Sequence, residues 1–223
     1  MSKHLKRYAA PKSWVISRKT NKWIIRPQPG THPITHSMPI GLILKNLECA
    51  KTTREAKKII NTKTVLVYNR TVKDVHFGVG FMDSIQIKPN IALRCTLDAK
   101  GRLQFIKIPE TETNKKICKI TGKHSVPKGK IQLNLSDGRN ILVEKSNHAV
   151  GDSVVLELPS QKVAEHLPFD KGALVFLTGG KHTATTGTIE KIEGERIWLK
   201  AGKIETLKQF AFVIGKDKPT VKL

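Results

Sequence analysis

Acidic residues are scarce in this chain of 223 residues, which holds 18 Asp and Glu against 40 Lys and Arg. The formal net charge is +22, and the first acidic residue, Glu48, follows nine basic ones. Residues 1–110 hold 21 basic and 6 acidic side chains, and residues 111–223 hold 19 and 12. Because a compact protein with such a surplus repels itself, we expect it to work against a polyanion.

Long apolar runs are also missing. No stretch of 18 apolar residues occurs, and no amphipathic basic helix lies near the start, which disfavours a membrane as the polyanion. The opening "MSKHLKRYAAPKSW" is polar and broken by proline, unlike the apolar core of a signal peptide. The sequence therefore predicts neither a membrane partner nor secretion.

Cysteine is rare and scattered, since Cys49, Cys95 and Cys118 are odd in number and far apart. No pair has the C-x-x-C spacing of a structural zinc site, so we predict no metal. Three unpaired thiols suit a reducing cytosol, which predicts a cytoplasmic protein.

Residues 1–36 form a basic segment that four prolines interrupt and that has too few aliphatic residues for a core. It is either a solvated tail or an arm whose cations meet phosphates while its aromatics stack on bases or dock on the protein. The tryptophans Trp14 and Trp23 favour the arm. The candidate binding residues here are Lys3, His4, Lys6, Arg7, Lys12, Trp14, Arg18, Lys19 and Lys22.

Residues 37–97 begin with two helical patterns. Apolar residues from Ile40 to Leu47 fall on one helical face after Pro39, which suits a first helical turn. In "KTTREAKKII", Thr52 and Glu55 have the spacing of a capping box. The sequence therefore predicts a second helix that starts at this box.

One face of the second helix is cationic, with Arg54, Lys57 and Lys58 at helical spacing and Lys51 and Lys63 at its two ends. Such a face is often simply solvated. Here the one nearby acid belongs to the predicted cap, so we interpret the row as a track for a phosphate backbone.

A short hairpin follows in "TKTVLVYNRTV", with its turn around Asn69 and Arg70 beside it, and "GVGFMDSIQI" adds another strand. In residues 98–170, alternating apolar residues predict β-structure, including a hairpin with a two-residue turn at Asp137-Gly138. The charge of this region is the most balanced, and we interpret it as a scaffold.

Residues 171–209 contain short, evenly spaced strands that suit a small SH3-like barrel. Residues 210–223 are predicted as a C-terminal tail that ends in the charged stretch "GKDKPTVKL". The loop "TGGKHTATTG" lacks the first glycine of a nucleotide-binding P-loop, has a histidine after its lysine, and leads into a strand instead of a helix. It is either a plain hairpin loop or a contact to a nucleic-acid backbone, made by Gly180, Lys181 and His182.

Two of these stretches resemble known modules. "VFLTGGKHTATTGTIEKI" resembles the KOW motif, in which Gly180 and Gly187 match the glycine pattern and Ala184 replaces a further glycine. The stretch from "PIGLILKNL" to "FMDSIQI" looks like an S4-type RNA-binding domain, with Arg70 where that hairpin usually has glycine.

The order of a basic arm, an S4-type domain, a β-rich middle and a KOW barrel resembles the small-subunit ribosomal protein family S4e, in its archaeal form. The resemblance implies an α+β, mostly β fold with domains at 37–97, 98–170 and 171–209. It also implies a structural constituent of the small ribosomal subunit whose partners are small-subunit rRNA and neighbouring ribosomal proteins.

No catalytic set accompanies these features. The eight histidines form no ligand pair, and no serine lies in a G-x-S-x-G motif. A pseudouridine synthase that reads RNA with an S4-type domain would need a large catalytic domain, for which the chain has no room. We therefore predict no enzyme, no cofactor and no small-molecule substrate; the alternative is a ribosome- or polymerase-associated RNA-binding factor with a KOW barrel.

Overall fold

The computed structural model describes residues 4–144, 147–200 and 204–223. The chain divides into two compact units. Unit 1 comprises Met1–Thr96 and Arg102–Asn114, and unit 2 comprises Leu97–Gly101 and Lys115–Leu223. Among the described residues, no helix has the length and apolarity needed to cross a membrane.

The first part of unit 1 is irregular chain with a few short elements. Two short strands pair antiparallel: β1 (Leu5–Lys6) and β2 (Trp23–Ile24). Strand β3 (Ser37–Pro39) runs directly into helix α1 (Ile40–Asn46), and helix α2 (Thr53–Asn61) follows. Pro39 caps α1, and the residues from Ile40 to Leu44 are all buried, so α1 is the centre of this core. The predicted helix after Pro39 is confirmed.

The remaining strands of unit 1 are β4 (Val65–Val67), β5 (Arg70–Thr71), β6 (Gly78–Gly80), β7 (Ser84–Ile87), β8 (Ile91–Leu97) and β9 (Leu103–Lys107). Five of them form one sheet in the order β5-β4-β7-β8-β9, and β6 pairs with β3. The predicted hairpin is β4–β5, and the predicted strand after it is split into β6 and β7.

Unit 2 holds two five-stranded sheets. The first contains β10 (Lys115–Val126), β11 (Lys130–Leu135), β12 (Asn140–Val143), β13 (Ser153–Glu157) and β14 (Lys162–Leu167), in the order β12-β11-β10-β13-β14. Its buried core includes Cys118, Ile120, Leu133 and Val154. Alternation of apolar residues along the strands places these side chains on one face.

The second sheet contains β15 (Leu174–Leu177), β16 (Thr186–Glu193), β17 (Arg196–Leu199), β18 (Ile204–Leu207) and β19 (Ala211–Gly215), in the order β18-β17-β16-β15-β19. The fold class is confirmed as α+β and mostly β. Strand β19 is buried along its whole length and pairs with β15. It lies in the stretch for which the sequence predicted a charged tail. The predicted domain boundaries stay a prediction.

The turn at Asp137-Gly138 differs from the predicted one. Leu135 N–H donates to Arg139 C=O at 2.9 Å, so the loop has three residues, and Gly138 ends it at φ +76°. The reason lies in Asp137, whose carboxylate turns inward to accept Lys116 Nζ at 2.8 Å. Both side chains are 2% exposed. A left-handed glycine after such a turn is the usual three-residue solution.

Candidate nucleic-acid interface

Helix α2 presents cations on a fixed support. The predicted capping box is present: Thr52 accepts the Glu55 amide through its side chain, and the Glu55 carboxylate accepts the amides of Lys51 and Thr52. Ala56 and Ile60 are buried beneath the helix. The start of the helix and its buried side are thus held before any ligand arrives.

Five cations are exposed on and around this helix, and we call them the α2 face: Lys51, Arg54, Lys57, Lys58 and Lys63. The only acid in the helix is Glu55, and the hydrogen bond from the Lys51 amide, then that from Thr52, holds the pKa of its carboxyl below the ordinary value. Because this carboxylate is hydrogen-bonded to the amides of the cap, the side chains of the α2 face remain exposed to solvent.

A sixth cation in this region, Lys45 of α1, was not predicted from the sequence. Lys45 Nζ donates to Thr53 Oγ1 at 2.8 Å, at the first residue of α2. Burial, and then the charge of Arg7, lower the pKa of Lys45, while Glu55 opposes the shift. The one sequence signal that could have identified Lys45 is its position in the last turn of the predicted helix α1.

Arg70 lies at the β4–β5 hairpin and is exposed. Val67 pairs with Arg70, which leaves Tyr68 and Asn69 as the two turn residues, at φ +54° and +58°. Two left-handed residues make a type I′ turn, and asparagine tolerates this conformation. A glycine at position 70 is unnecessary, because residue 70 already belongs to the strand.

Part of the basic segment serves the fold, because three of the predicted binding residues have hydrogen-bond partners within the protein; their binding to RNA stays a prediction. Trp14 is 2% exposed and donates Nε1–H to the Ser37 carbonyl at 2.7 Å, so its ring cannot stack on a base in this structure. The Arg18 guanidinium donates hydrogen bonds to backbone carbonyls of the segment itself, at 2.7–3.1 Å. Arg7 Nη1 donates to the Ser17 carbonyl at 2.9 Å. The Trp14 ring is therefore turned inward by a distant contact, whereas Arg7 and Arg18 stay half-buried and bond to nearby carbonyls of the segment.

The other candidates in the segment remain on the surface. Exposed side chains there are His4 and the four cations Lys6, Lys12, Lys19 and Lys22. Lys3 lies outside the described residues. In the described part of the segment, the buried Trp14 and the hydrogen-bonded Arg18 thus hold the backbone that carries these exposed side chains.

The glycine-rich loop belongs to unit 2 and connects β15 to β16. Thr178 donates through N–H and Oγ1 to the Phe210 carbonyl, at 2.9 and 3.1 Å. Gly179 packs so closely on the Phe210 ring that a Cβ would lie 2.7 Å from it. Lys181 and His182 are exposed at the tip, after Gly180 at φ +86°.

The loop closes without a further glycine. Ala184 takes a left-handed conformation at φ +64°, and its N–H donates to the Leu177 carbonyl at 2.8 Å. Thr183 Oγ1 donates to the Gly180 carbonyl at 2.8 Å. The geometry is a strand–loop–strand piece with an exposed cationic tip, and no helix follows it. Across the residues the structure describes, no three His, Cys, Asp or Glu side chains are grouped to hold a metal ion.

The fold and these surfaces define a basic, α+β and mostly β protein with two helices in unit 1 and two five-stranded sheets in unit 2. Two family models match it: the ribosomal family S4e over residues 90–163 and the RS4NT domain over residues 1–35.

Full-length relatives agree with these family matches. The small ribosomal subunit protein eS4 of Methanothermobacter thermautotrophicus is 42% identical over 99% of this chain and 96% of the relative. The protein of the same name from Methanocaldococcus jannaschii is 39% identical, over 99% and 97%. The crystal structure of 30S ribosomal protein S4e from Thermoplasma acidophilum is 29% identical, with a TM-score of 0.71, and covers 81% of this chain and 95% of that one. The chain belongs to the ribosomal protein family S4e.

Proposed function

We propose that this protein is a structural constituent of the small ribosomal subunit and holds small-subunit rRNA through its basic surfaces. The observation that carries the proposal is the α2 face, whose five exposed cations lie on or next to a capped helix, and the one acid within that helix is engaged by the cap. Family membership supports the assignment to the small ribosomal subunit. The positive charge of the surface supports a negatively charged partner such as RNA.

The mechanism is electrostatic and largely independent of base sequence. Lysine and arginine on the α2 face neutralise phosphates and release the counterions condensed on the RNA. Because Ala56 and Ile60 are buried and the capping box holds the start, the helix needs no further ordering when RNA binds. A rigid row of charges then selects a backbone path of matching shape.

Further contacts come from three other places. The exposed cations of the basic segment, Arg70 at its hairpin, and Lys181 at the tip of the glycine-rich loop each offer positive charge at the surface. Gly180 and His182 flank Lys181 at that tip. We assign neighbouring ribosomal proteins as additional partners and the cytoplasmic ribosome as the location. The role requires no reaction, and we assign it no catalytic residue, cofactor or small-molecule substrate.

One sucrose-gradient experiment separates this role from that of a loosely associated factor. A tagged copy of the protein should sediment with the small subunit and stay there through a high-salt wash. A copy with both Arg54 and Lys58 changed to glutamate should be depleted from the washed subunit. Wild-type protein found only in the free or polymerase-bound fractions would contradict the proposal.

A further inference from the structure

Two aromatic side chains in the basic segment remain on the surface although a third is buried. Tyr8 is 84% exposed and Trp23 is 50% exposed, whereas Trp14 is 2% exposed. Tyrosine and tryptophan are large apolar rings whose exposure to water is unfavourable unless a partner covers them. These two rings do not contribute to the core that Trp14 serves.

Both rings are held by the short β1–β2 pair and the turn that follows it. Lys6 is the cross-strand partner of Trp23, and the N–H of Arg7 donates to the Lys22 carbonyl at 2.9 Å. Tyr8 lies in the single helical turn Arg7–Ala9 directly after β1. Its own carbonyl accepts Arg18 Nη1 at 3.1 Å. The backbone beneath both rings is therefore fixed by hydrogen bonds.

A cation lies beside the Trp23 ring, and the basic segment that carries both rings contains no acidic residue. Lys22 Nζ lies 5.4 Å from the centroid of the Trp23 ring, and the His4 ring lies at the same centroid distance, tilted by 48°. Lys6 and Lys19 are exposed close by in the sequence, and no acidic residue precedes Glu48. A partner that covers these rings must bring flat apolar surfaces together with negative charge.

Unpaired nucleotides have this combination, because each base has a π face and each linkage has a phosphate. We propose that Tyr8 and Trp23 form a stacking platform for unpaired RNA bases, flanked by Lys6 and Lys22 as phosphate contacts. The inference rests on the proposed function and deepens it: the α2 face tracks a backbone of any sequence, whereas this platform requires nucleotides outside a duplex. Paired bases expose only their edges, so a helix cannot fill it.

The test compares single-stranded RNA with a duplex that has the same number of phosphates. Trp23→Leu removes the aromatic face but keeps an apolar side chain, and we expect it to weaken single-strand binding about tenfold and duplex binding by less than about twofold. Trp23→Phe keeps a ring and should restore most of the affinity. Lys22→Ala should weaken binding to both RNAs alike, because it removes only a phosphate contact.

Tryptophan fluorescence gives a second reading on the same samples. Single-stranded RNA should quench the emission of the wild-type protein, and Trp23→Phe should abolish that change although Trp14 and Trp198 remain. Circular dichroism of each variant verifies that β-structure and melting temperature are unchanged. Tyr8→Ala with Tyr8→Phe as its control repeats the comparison at the second ring.

The outcomes separate this inference from the proposed function. If wild-type protein binds small-subunit rRNA but Trp23→Leu binds single strands and duplexes like the wild type, the platform is overturned and the proposed function stands. Normal RNA affinity together with loss of Trp23→Leu from the subunit would assign the rings to a protein partner and also overturn it. Absence of any rRNA binding by the wild type would overturn both.

Discussion

The cations of helix α2 and the buried or half-buried lysines of unit 2 have opposite surroundings. On the α2 face, Arg54, Lys57 and Lys58 are exposed and the nearby carboxylate is occupied by a cap. In unit 2, Lys116 is 2% exposed and pairs with Asp137. Lys119 Nζ donates to the carbonyls of residues 208, 209 and 211 at 2.7–3.1 Å. The net charge of the sequence counts the exposed cations of α2 and these unit 2 lysines equally, although their surroundings differ.

This contrast shows that the same residue type performs two different tasks. A buried lysine with partners at hydrogen-bond distance specifies the fold, and its charge is unavailable to a ligand. An exposed lysine without an acid contributes little to folding and remains available for phosphates. Only the second group can account for the release of counterions on RNA binding.

The largest expected effect is on the buried pair. Changing Asp137 to alanine leaves Lys116 buried without its carboxylate and should lower the free energy of unfolding by about 3–5 kcal/mol. Asp137→Asn keeps the size and the hydrogen bond and should cost less. Urea unfolding monitored by circular dichroism measures both, and an Asp137→Ala variant as stable as the wild type would remove the distinction between the two lysine groups.

The docked tryptophan of the basic segment provides the next test. Trp14→Ala should destabilise unit 1 by about 3 kcal/mol, because it removes a fully buried ring. Trp14→Phe keeps most of the packing and loses the hydrogen bond to the Ser37 carbonyl, so it should cost about 1 kcal/mol. Thermal unfolding gives the values. A negligible effect of Trp14→Ala would mean that the segment does not need its anchor.

Titration of Lys119 sharpens the comparison further. Burial, and then the Lys208 charge, lower its pKa from 10.5 to about 8, so the ammonium is still present at pH 7. Between pH 8 and 10.5 the unfolded chain retains this proton and the folded chain releases it, so this residue's contribution to stability rises with pH. The stability of the wild type relative to Lys119→Met should therefore increase across that window. A constant difference in urea midpoints would contradict the shift.

The smallest predicted effect lies in the glycine-rich loop. Ala184 holds φ +64°, which strains an L-residue but suits glycine. Ala184→Gly should stabilise unit 2 by about 0.5 kcal/mol, since relief of strain exceeds the added entropy of the unfolded chain. Gly180→Ala, at φ +86°, is the matched reverse change and should destabilise. A loss of stability in Ala184→Gly would contradict the strain.

Features set by neighbours in sequence could be predicted from the sequence. Thr52 and Glu55 are three residues apart, and that spacing alone fixes the capping box and the start of α2. The hairpin turn near Asn69 and the strands on either side of the glycine-rich loop follow from equally local patterns.

Features set by distant partners could not be predicted. Trp14 is buried because of Ser37, and strand β19 exists because β15 offers it an edge. Asp137 turns inward because Lys116, 21 residues earlier, lies beneath it. The charge of a residue is visible in the sequence, whereas the contact that uses up that charge is not. The local geometry of α2 could therefore be predicted from the sequence, whereas the contacts made by Trp14, Arg7 and Arg18 could not. The binding roles of both regions stay predictions.

The most direct test of the central claim is the salt dependence of rRNA binding with two charges on the α2 face reversed. For Arg54→Glu with Lys58→Glu we predict a loss of a few kcal/mol, roughly 1 kcal/mol or more per phosphate contact, and a shallower salt slope with unchanged unfolding. Lys162→Glu with Lys171→Glu, two exposed lysines outside the candidate surfaces, is the control of equal charge. Affinity and slope equal to those of the wild type in the α2 variant, or an equal loss in the control, would contradict the claim that a shaped surface on α2 binds RNA.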